Sequence, residues 1–179
     1  RRYYFRGQLE STFVPGIELT DDLIVSDIVA LNVALKPQKP ILVGLSIGGL
    51  YAAQARKAGV NAAGIVFLNT LRKVGPRIQW INEALPQFAA LGGAQMFMDA
   101  TFALVVNPEF AETMRPNFLK GAYEPLPPEH GHMNLMRNSP ATDWDFEWAS
   151  LDLPVLSITG EHDRIFRDPA VIDELFALL

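Results

Sequence analysis

The sequence predicts an α/β fold, a parallel sheet covered by helices. Three observations carry it. Short apolar runs rich in branched side chains occur at 41–45, 64–68 and 154–158, the last interrupted only by Ser157. Helical patterns separate or follow them, and the strand, helix, strand order is what parallel pairing requires, since parallel neighbours need a crossover.

In chain order, 20–35 reads as an amphipathic helix. Thr20 is placed to cap it, Asp21 and Asp22 lie in its first turn, and Ile24, Ile28, Leu31 and Leu35 form one stripe. Pro37 ends it. The run Ile41-Leu42-Val43-Gly44-Leu45 is expected to be a strand buried on both faces. From Ile47 to Ala58 small residues predict a helix that packs close to the sheet, with Arg56 and Lys57 near its end and Gly59 after it. Gly64 to Leu68 is a second buried strand and Pro154 to Ile158 a third. Asp168-Pro169 then opens a helix with Val171, Ile172, Leu175 and Phe176 inward.

Between the second and third strands the texture changes. Helical pieces are expected around 78–91, 94–106 and 108–118, followed by a Pro/His/Asn-rich tail over 125–140. Trp80, Ile81, Leu85, Phe88, Met96, Phe97, Met98, Phe102 and Leu104 recur at helical spacing, which places most of them in packing.

Composition narrows the function. With 49% hydrophobic and 20% charged residues among 179, the chain has a real core and is not disordered. A formal charge of -5 gives no footprint for nucleic acid, and the absence of cysteine removes thiolate nucleophiles, disulfides and thiolate metal sites. No uninterrupted apolar run is as long as a membrane span, so no membrane partner is expected. The compartment expected is the cytoplasm, with a signal peptide as the alternative that the missing start would hide. The chain starts on Arg1 rather than Met and stops on Leu178-Leu179 within a helical pattern, and so reads as a piece of a longer protein.

The chemistry centres on Gly44-Leu45-Ser46-Ile47-Gly48, extended by Gly49, between a strand and a helix. A serine at such a sharp turn sits in strained backbone, and small neighbours two residues away on each side, Gly44 and Gly48, avoid collisions. Its hydroxyl is exposed at the carboxyl end of the sheet, where the Ile47 N–H and the helix N-terminus offer half an oxyanion hole. The plainer reading, a glycine-rich packing turn or phosphate cradle, fits poorly: the glycines match neither dinucleotide nor phosphate loops. Serine needs a base oriented by a carboxylate. Asp163, in the loop after the third strand, is the candidate acid, with Glu161 as substitute. The alternative for Asp163 is a loop aspartate spent on turn hydrogen bonds. Of His130, His132 and His162, none follows Asp163. His162 should diverge from its neighbour. His130 and His132 read as surface or substrate-touching residues before they read as metal ligands. No metal and no organic cofactor is expected.

With these residues in place, the chain resembles the α/β-hydrolase fold superfamily, in particular its lid-bearing esterases, C–C bond hydrolases and haloperoxidase-like enzymes. Gly44-Leu45-Ser46-Ile47-Gly48-Gly49 is similar to the family's Gly-His-Ser-Met-Gly-Gly, and Gly160-Glu161-His162-Asp163 to its Gly-x-x-Asp. Arg6-Gly7 with Ser11 and Pro15 resembles its Asp-x-Arg-Gly-x-Gly-x-Ser stretch, with Tyr4 and Leu9 replacing the Asp and the second Gly. Asp27 matches an aspartate common in the next helix. The resemblance implies an α/β-hydrolase fold truncated at both ends with a helical lid insertion. Its parts are a core over 1–70, the lid over 71–150 and a second core segment over 151–179. The oxyanion loop and the triad histidine would lie outside the chain, and the strand expected beside Ile41 to Leu45 would be missing, exposing that edge. The expected function is a serine hydrolase acting on a small, largely apolar ester or acyl compound, with Ser46 as nucleophile, Asp163 as acid and Leu71, Phe97, Phe102 and Ile165 as substrate contacts. A non-catalytic ligand-binding protein on the same fold is the alternative.

Overall fold

A computed structural model describes residues 2–71 and 73–179; Arg1 and Arg72, which fall in the expected core and lid segments, lie outside the described residues. In chain order the elements are α1 (Asp21–Leu35), β1 (Ile41–Leu45), α2 (Ile47–Lys57), β2 (Gly64–Leu68), α3 (Pro76–Val105), α4 (Pro108–Met114), α5 (Gly131–Asn138), β3 (Val155–Ile158) and α6 (Pro169–Leu178). The chain divides into two units. One comprises 21–74, 143–161 and 166–179, the other 1–20, 75–142 and 162–165.

The first unit holds the sheet, with strand order β1-β2-β3 and all pairs parallel. Its register aligns Leu42 with Ile65 and Ile65 with Val155, so Leu42, Gly44, Ile65, Phe67, Val155 and Ser157 share one face. That face is covered. Leu50, Ala52 and Ala53 of α2, with Trp148 and Leu175, close over Ile65 and Phe67, and Trp148 meets Phe67 edge-on at 5.7 Å. Ala55, Val60 and Ala62 form a second cluster, against which Val25, Ile28 and Val29 of α1 pack.

The opposite face corrects the expectation of strands buried on both sides. Ile41, Val43 and Leu45 are 61%, 62% and 67% exposed, and Leu156 and Ile158 of β3 are 54% and 48% exposed. Only β2 is largely enclosed. An apolar run shows that a segment can be buried twice, but coverage depends on whether a second layer of helices is present, and here β1 is also an edge strand. Two helical stripes are likewise narrower than expected. Leu31 and Leu35 are exposed where the last turns of α1 outrun their support, and Phe176 of α6 is exposed while Val171 and Leu175 are buried. Asp168 caps α6, its carboxylate accepting from the Val171 N–H.

The second unit is built of helices and loops. The 30-residue α3 is long and apolar enough by length and composition to cross a membrane. It is, however, two helices joined at a break, with Gly93 at φ 69° and Gly92 also non-helical. A Cβ at Gly93 would overlap the Glu124 carbonyl. The two halves correspond to the separate pieces expected over 78–91 and 94–106. Trp80, Met98 and Leu104, placed in the helical stripe by spacing, are exposed.

The Pro/His/Asn-rich tail over 125–140 contains α5, which buries Met133 and is also held through polar side chains. Asn134 accepts from the Leu19 N–H and donates to the Ile17 carbonyl, both at 2.8 Å, and Asn138 donates to Glu18 at 2.7 Å. Residues 2–20 form no strand. Gly7, at φ 70°, backs directly onto Gly131, where a Cβ on either glycine would meet the other's backbone at 2.7 and 2.6 Å. Leu9, standing where the resembled motif has its second glycine, adopts φ 50°, the left-handed conformation glycine would adopt without strain.

Candidate functional site

Ser46 follows the last residue of β1 and precedes the first of α2, with φ 52° and ψ -124°. A non-glycine residue in this region carries about 1–3 kcal/mol of strain and persists only where the surroundings over-determine it. Those surroundings are visible. The Ser46 N–H donates to the Leu68 carbonyl at 2.8 Å, and the Ser46 carbonyl accepts from Gly49 N–H at 3.0 Å and from Thr70 Oγ1 at 2.9 Å. The backbone is thus pinned on both sides while the hydroxyl makes no capping bond to α2. The first N–H groups of the helix, beginning with Ile47, are those an α-helix leaves without an internal carbonyl partner.

The glycines divide the work differently from the expectation. A Cβ on Gly44 would overlap the backbone of Gly48 and Gly49, so the strand end and the helix start touch there. A Cβ on Gly49 would overlap Thr70 Oγ1 and lie 2.7 and 2.8 Å from its Cγ2 and Cβ. At Gly48 a Cβ would meet nothing within 4 Å. The close approach expected at Gly48 falls instead on its successor, because a buried threonine fills the space over Gly49.

Thr70 and its neighbour Asn69 are residues that the sequence reading missed. Asn69, at φ 51°, donates its N–H to the Ile158 carbonyl at 2.8 Å and accepts the Gly160 N–H on its side-chain oxygen at 2.9 Å. Together with the Ser46 bonds this ties the carboxyl ends of β1, β2 and β3 into one network. Nothing in the sequence marked it, because Asn-Thr after a strand is ordinary turn composition. Leu71, of the same unit, is buried, and Glu161 is exposed.

Asp163 belongs to the other unit, with Phe97, Phe102 and Ile165. It is 2% exposed, and its Oδ1 accepts the Ile165 N–H at 2.9 Å, the turn bond foreseen as its plainer role. His162, beside it, is exposed. Ile165 is buried, Phe97 lies 6.5 Å from Phe88 between ring centroids, and Phe102 stacks on Phe118 at 4.4 Å. His130 caps α5, its Nδ1 accepting the His132 N–H at 3.1 Å, and the two rings stack at 5.6 Å. Burial, and then the neighbouring His130, push the His132 pKa below its usual value. Among the described residues, no three His, Asp or Glu side chains gather as a metal site would need.

The model of the alpha/beta hydrolase family matches residues 5–178. The chain belongs to the alpha/beta hydrolase family. Among solved structures, this alpha/beta hydrolase is similar to a hydrolase from Pseudomonas aeruginosa PA01, at 25% identity and TM-score 0.64 over 96% of this chain and 64% of that one. It is also similar to the enol-lactonase of Burkholderia xenovorans LB400, at 23% identity and TM-score 0.72 over 97% of this chain and 66% of the other. A thermophilic esterase from Thermogutta terrifontis matches at 24% identity and TM-score 0.65, over 97% and 65% of the two chains. The last two establish likeness of fold alone. The alpha/beta hydrolase described here spans slightly less than two thirds of the length of these three structures. No curated protein matches it.

Proposed function

We propose that the whole protein is a serine hydrolase in which Ser46 is the nucleophile. The observation that carries this reading is the backbone of Ser46, held at φ 52° between a strand and a helix with its hydroxyl left out of the helix cap. Strain of that kind has no packing benefit at a position half-exposed to solvent, whereas it presents an oxygen to a substrate. The Ile47 N–H, at the positive end of α2, is the first oxyanion donor, and Gly44 and Gly48 belong to the elbow that presents the serine.

In the reaction, Ser46 Oγ attacks an acyl carbon as a histidine takes its proton. The tetrahedral oxyanion collapses as the leaving alkoxide is protonated, and water then releases the acid by the reverse sequence. Asp163 holds that histidine in the useful tautomer. In this reading the base comes from outside these 179 residues, because none of the three histidines follows Asp163, and His130 is occupied as a helix cap through Nδ1. Of the segment 71–150, the helical residues 75–142 act as the lid, and Leu71, Phe97, Phe102 and Ile165 supply apolar contacts, so the substrate is a small, largely apolar ester or acyl compound. No cofactor enters this chemistry.

An active-site-directed fluorophosphonate applied to the full-length protein tests this. Label should fall on Ser46, and Ser46→Ala should abolish both labelling and hydrolysis of short p-nitrophenyl esters. Wild-type turnover in Ser46→Ala overturns the assignment. Full-length wild type that takes no label and hydrolyses none of these esters points to a ligand-binding protein on the same fold. Asp163→Asn should lower turnover by about 10⁴-fold, as loss of the orienting carboxylate does in triads.

A further inference from the structure

The unit containing α3, α4 and α5 has a cavity of about 420 Å³ between the second half of α3, α4 and the 162–164 loop. Its apolar wall is aromatic and aliphatic. Phe102 stacks on Phe118 at 4.4 Å and 24°, and Val106 continues the wall.

The polar groups at its rim are unequally committed. Both Asp99 oxygens are used, one by Gln95 Nε2 at 2.6 Å, the other by the Leu119 N–H and the Tyr123 hydroxyl at 3.0 Å each. Glu112 holds Arg115 at 2.7 Å. Arg164 is different. Its N–H donates to the Leu104 carbonyl at 2.8 Å and its carbonyl accepts from Arg77 at 3.1 Å, so the backbone is fixed from both sides. Yet neither its guanidinium nor the His162 ring beside it has a partner among the described residues. The cavity therefore offers an aromatic platform and two uncommitted donors, while both Asp99 oxygens and Glu112 Oε1 on its rim are already engaged. A planar fork of N–H groups on a fixed backbone matches a carboxylate.

We propose that this cavity binds a monocarboxylate with an aromatic body, the carboxylate meeting Arg164 and His162 and the ring lying against Phe102 and Phe118. Every residue used belongs to one unit; Phe102 is shared with the proposed substrate contacts and His162 and Arg164 flank Asp163, but binding is read without turnover.

The test is calorimetric titration of the full-length Ser46→Ala protein with 4-phenylbutyrate and with the uncharged 4-phenylbutyramide. The carboxylate should bind about tenfold or more tighter than the amide, the worth of one charge-assisted contact. Arg164→Gln, at an exposed side chain, should bring that preference below about threefold while leaving amide affinity unchanged. Phe102→Ala should weaken both ligands, and His162→Gln should give a smaller loss for the carboxylate alone. Equal affinities in the parent, no binding of either probe, or an unchanged preference in Arg164→Gln each overturn the proposal. Fluorophosphonate labelling of the Ser46 protein is a separate readout, so the two readings can fail independently.

Discussion

Adding one methyl group at Gly48 or at Gly49 should have opposite consequences, although the G-x-S-x-G pattern singles out the first. At Gly48 the new Cβ meets nothing within 4 Å, and the residue lies in the first turn of α2. Alanine there gains helix propensity, so Gly48→Ala should be neutral or stabilising by up to about 1 kcal/mol. At Gly49 the new Cβ overlaps Thr70 Oγ1 and presses on Cγ2 and Cβ at 2.7 and 2.8 Å, and Thr70 is only 1% exposed, with nowhere to turn. Overpacking of this kind costs about 1–3 kcal/mol. Displacing Thr70 also removes its bond to the Ser46 carbonyl, about 1 kcal/mol more. Gly49→Ala should therefore destabilise by about 1–3 kcal/mol, after deduction of its own propensity gain. Thr70→Ala removes two of the three crowded atoms, so the double variant should be less destabilised than the sum of the singles. Urea denaturation of the four proteins measures this, with fluorophosphonate labelling of Ser46 in the full-length versions as the local readout. Equal cost at Gly48 and Gly49, or strict additivity with Thr70→Ala, would refute the packing argument.

Ser46→Gly should abolish labelling yet raise stability by about 1 kcal/mol, because glycine accepts φ 52° without the strain; a loss of stability would mean that the conformation is unstrained. In the 179-residue chain, Val43→Lys with Leu156→Lys should suppress self-association and dye binding in light-scattering and fluorescence assays. The cost should be no more than about 0.5 kcal/mol, since both side chains point from the same bare face; unfolding of this variant would show the face to be covered. The His132 pKa is lowered on folding from 6.5, so the unfolded chain binds the proton more readily. Stability from this residue is full above about pH 6.5 and falls as pH drops through the folded value, and His132→Gln should flatten that slope in urea titrations between about pH 5 and 8. An identical slope in the variant would remove His132 as its source.

The sequence by itself determined the elements whose causes are local. A run of five branched and apolar residues ending in Ser46, followed by small residues, leaves the chain little choice but strand, tight turn and helix. Asp168-Pro169 opens α6 for equally local reasons. Gly44 was legible because the crowding it relieves comes from residues four and five positions along the same turn. Tertiary structure decided whatever depends on what arrives from elsewhere in the chain. Which face of β1 is covered follows from where α2 and Trp148 lie, and an apolar run reads the same with one layer or two. Thr70, from the end of β2, transferred the steric restriction from Gly48 to Gly49. The helix at 131–138 rests on Asn134 bonding backbone more than a hundred residues away, a contact that carries no periodic signal. Hydrophobic pattern reports how much surface a segment can bury, whereas the partner that buries it, or satisfies its polar groups, is fixed only when distant segments meet.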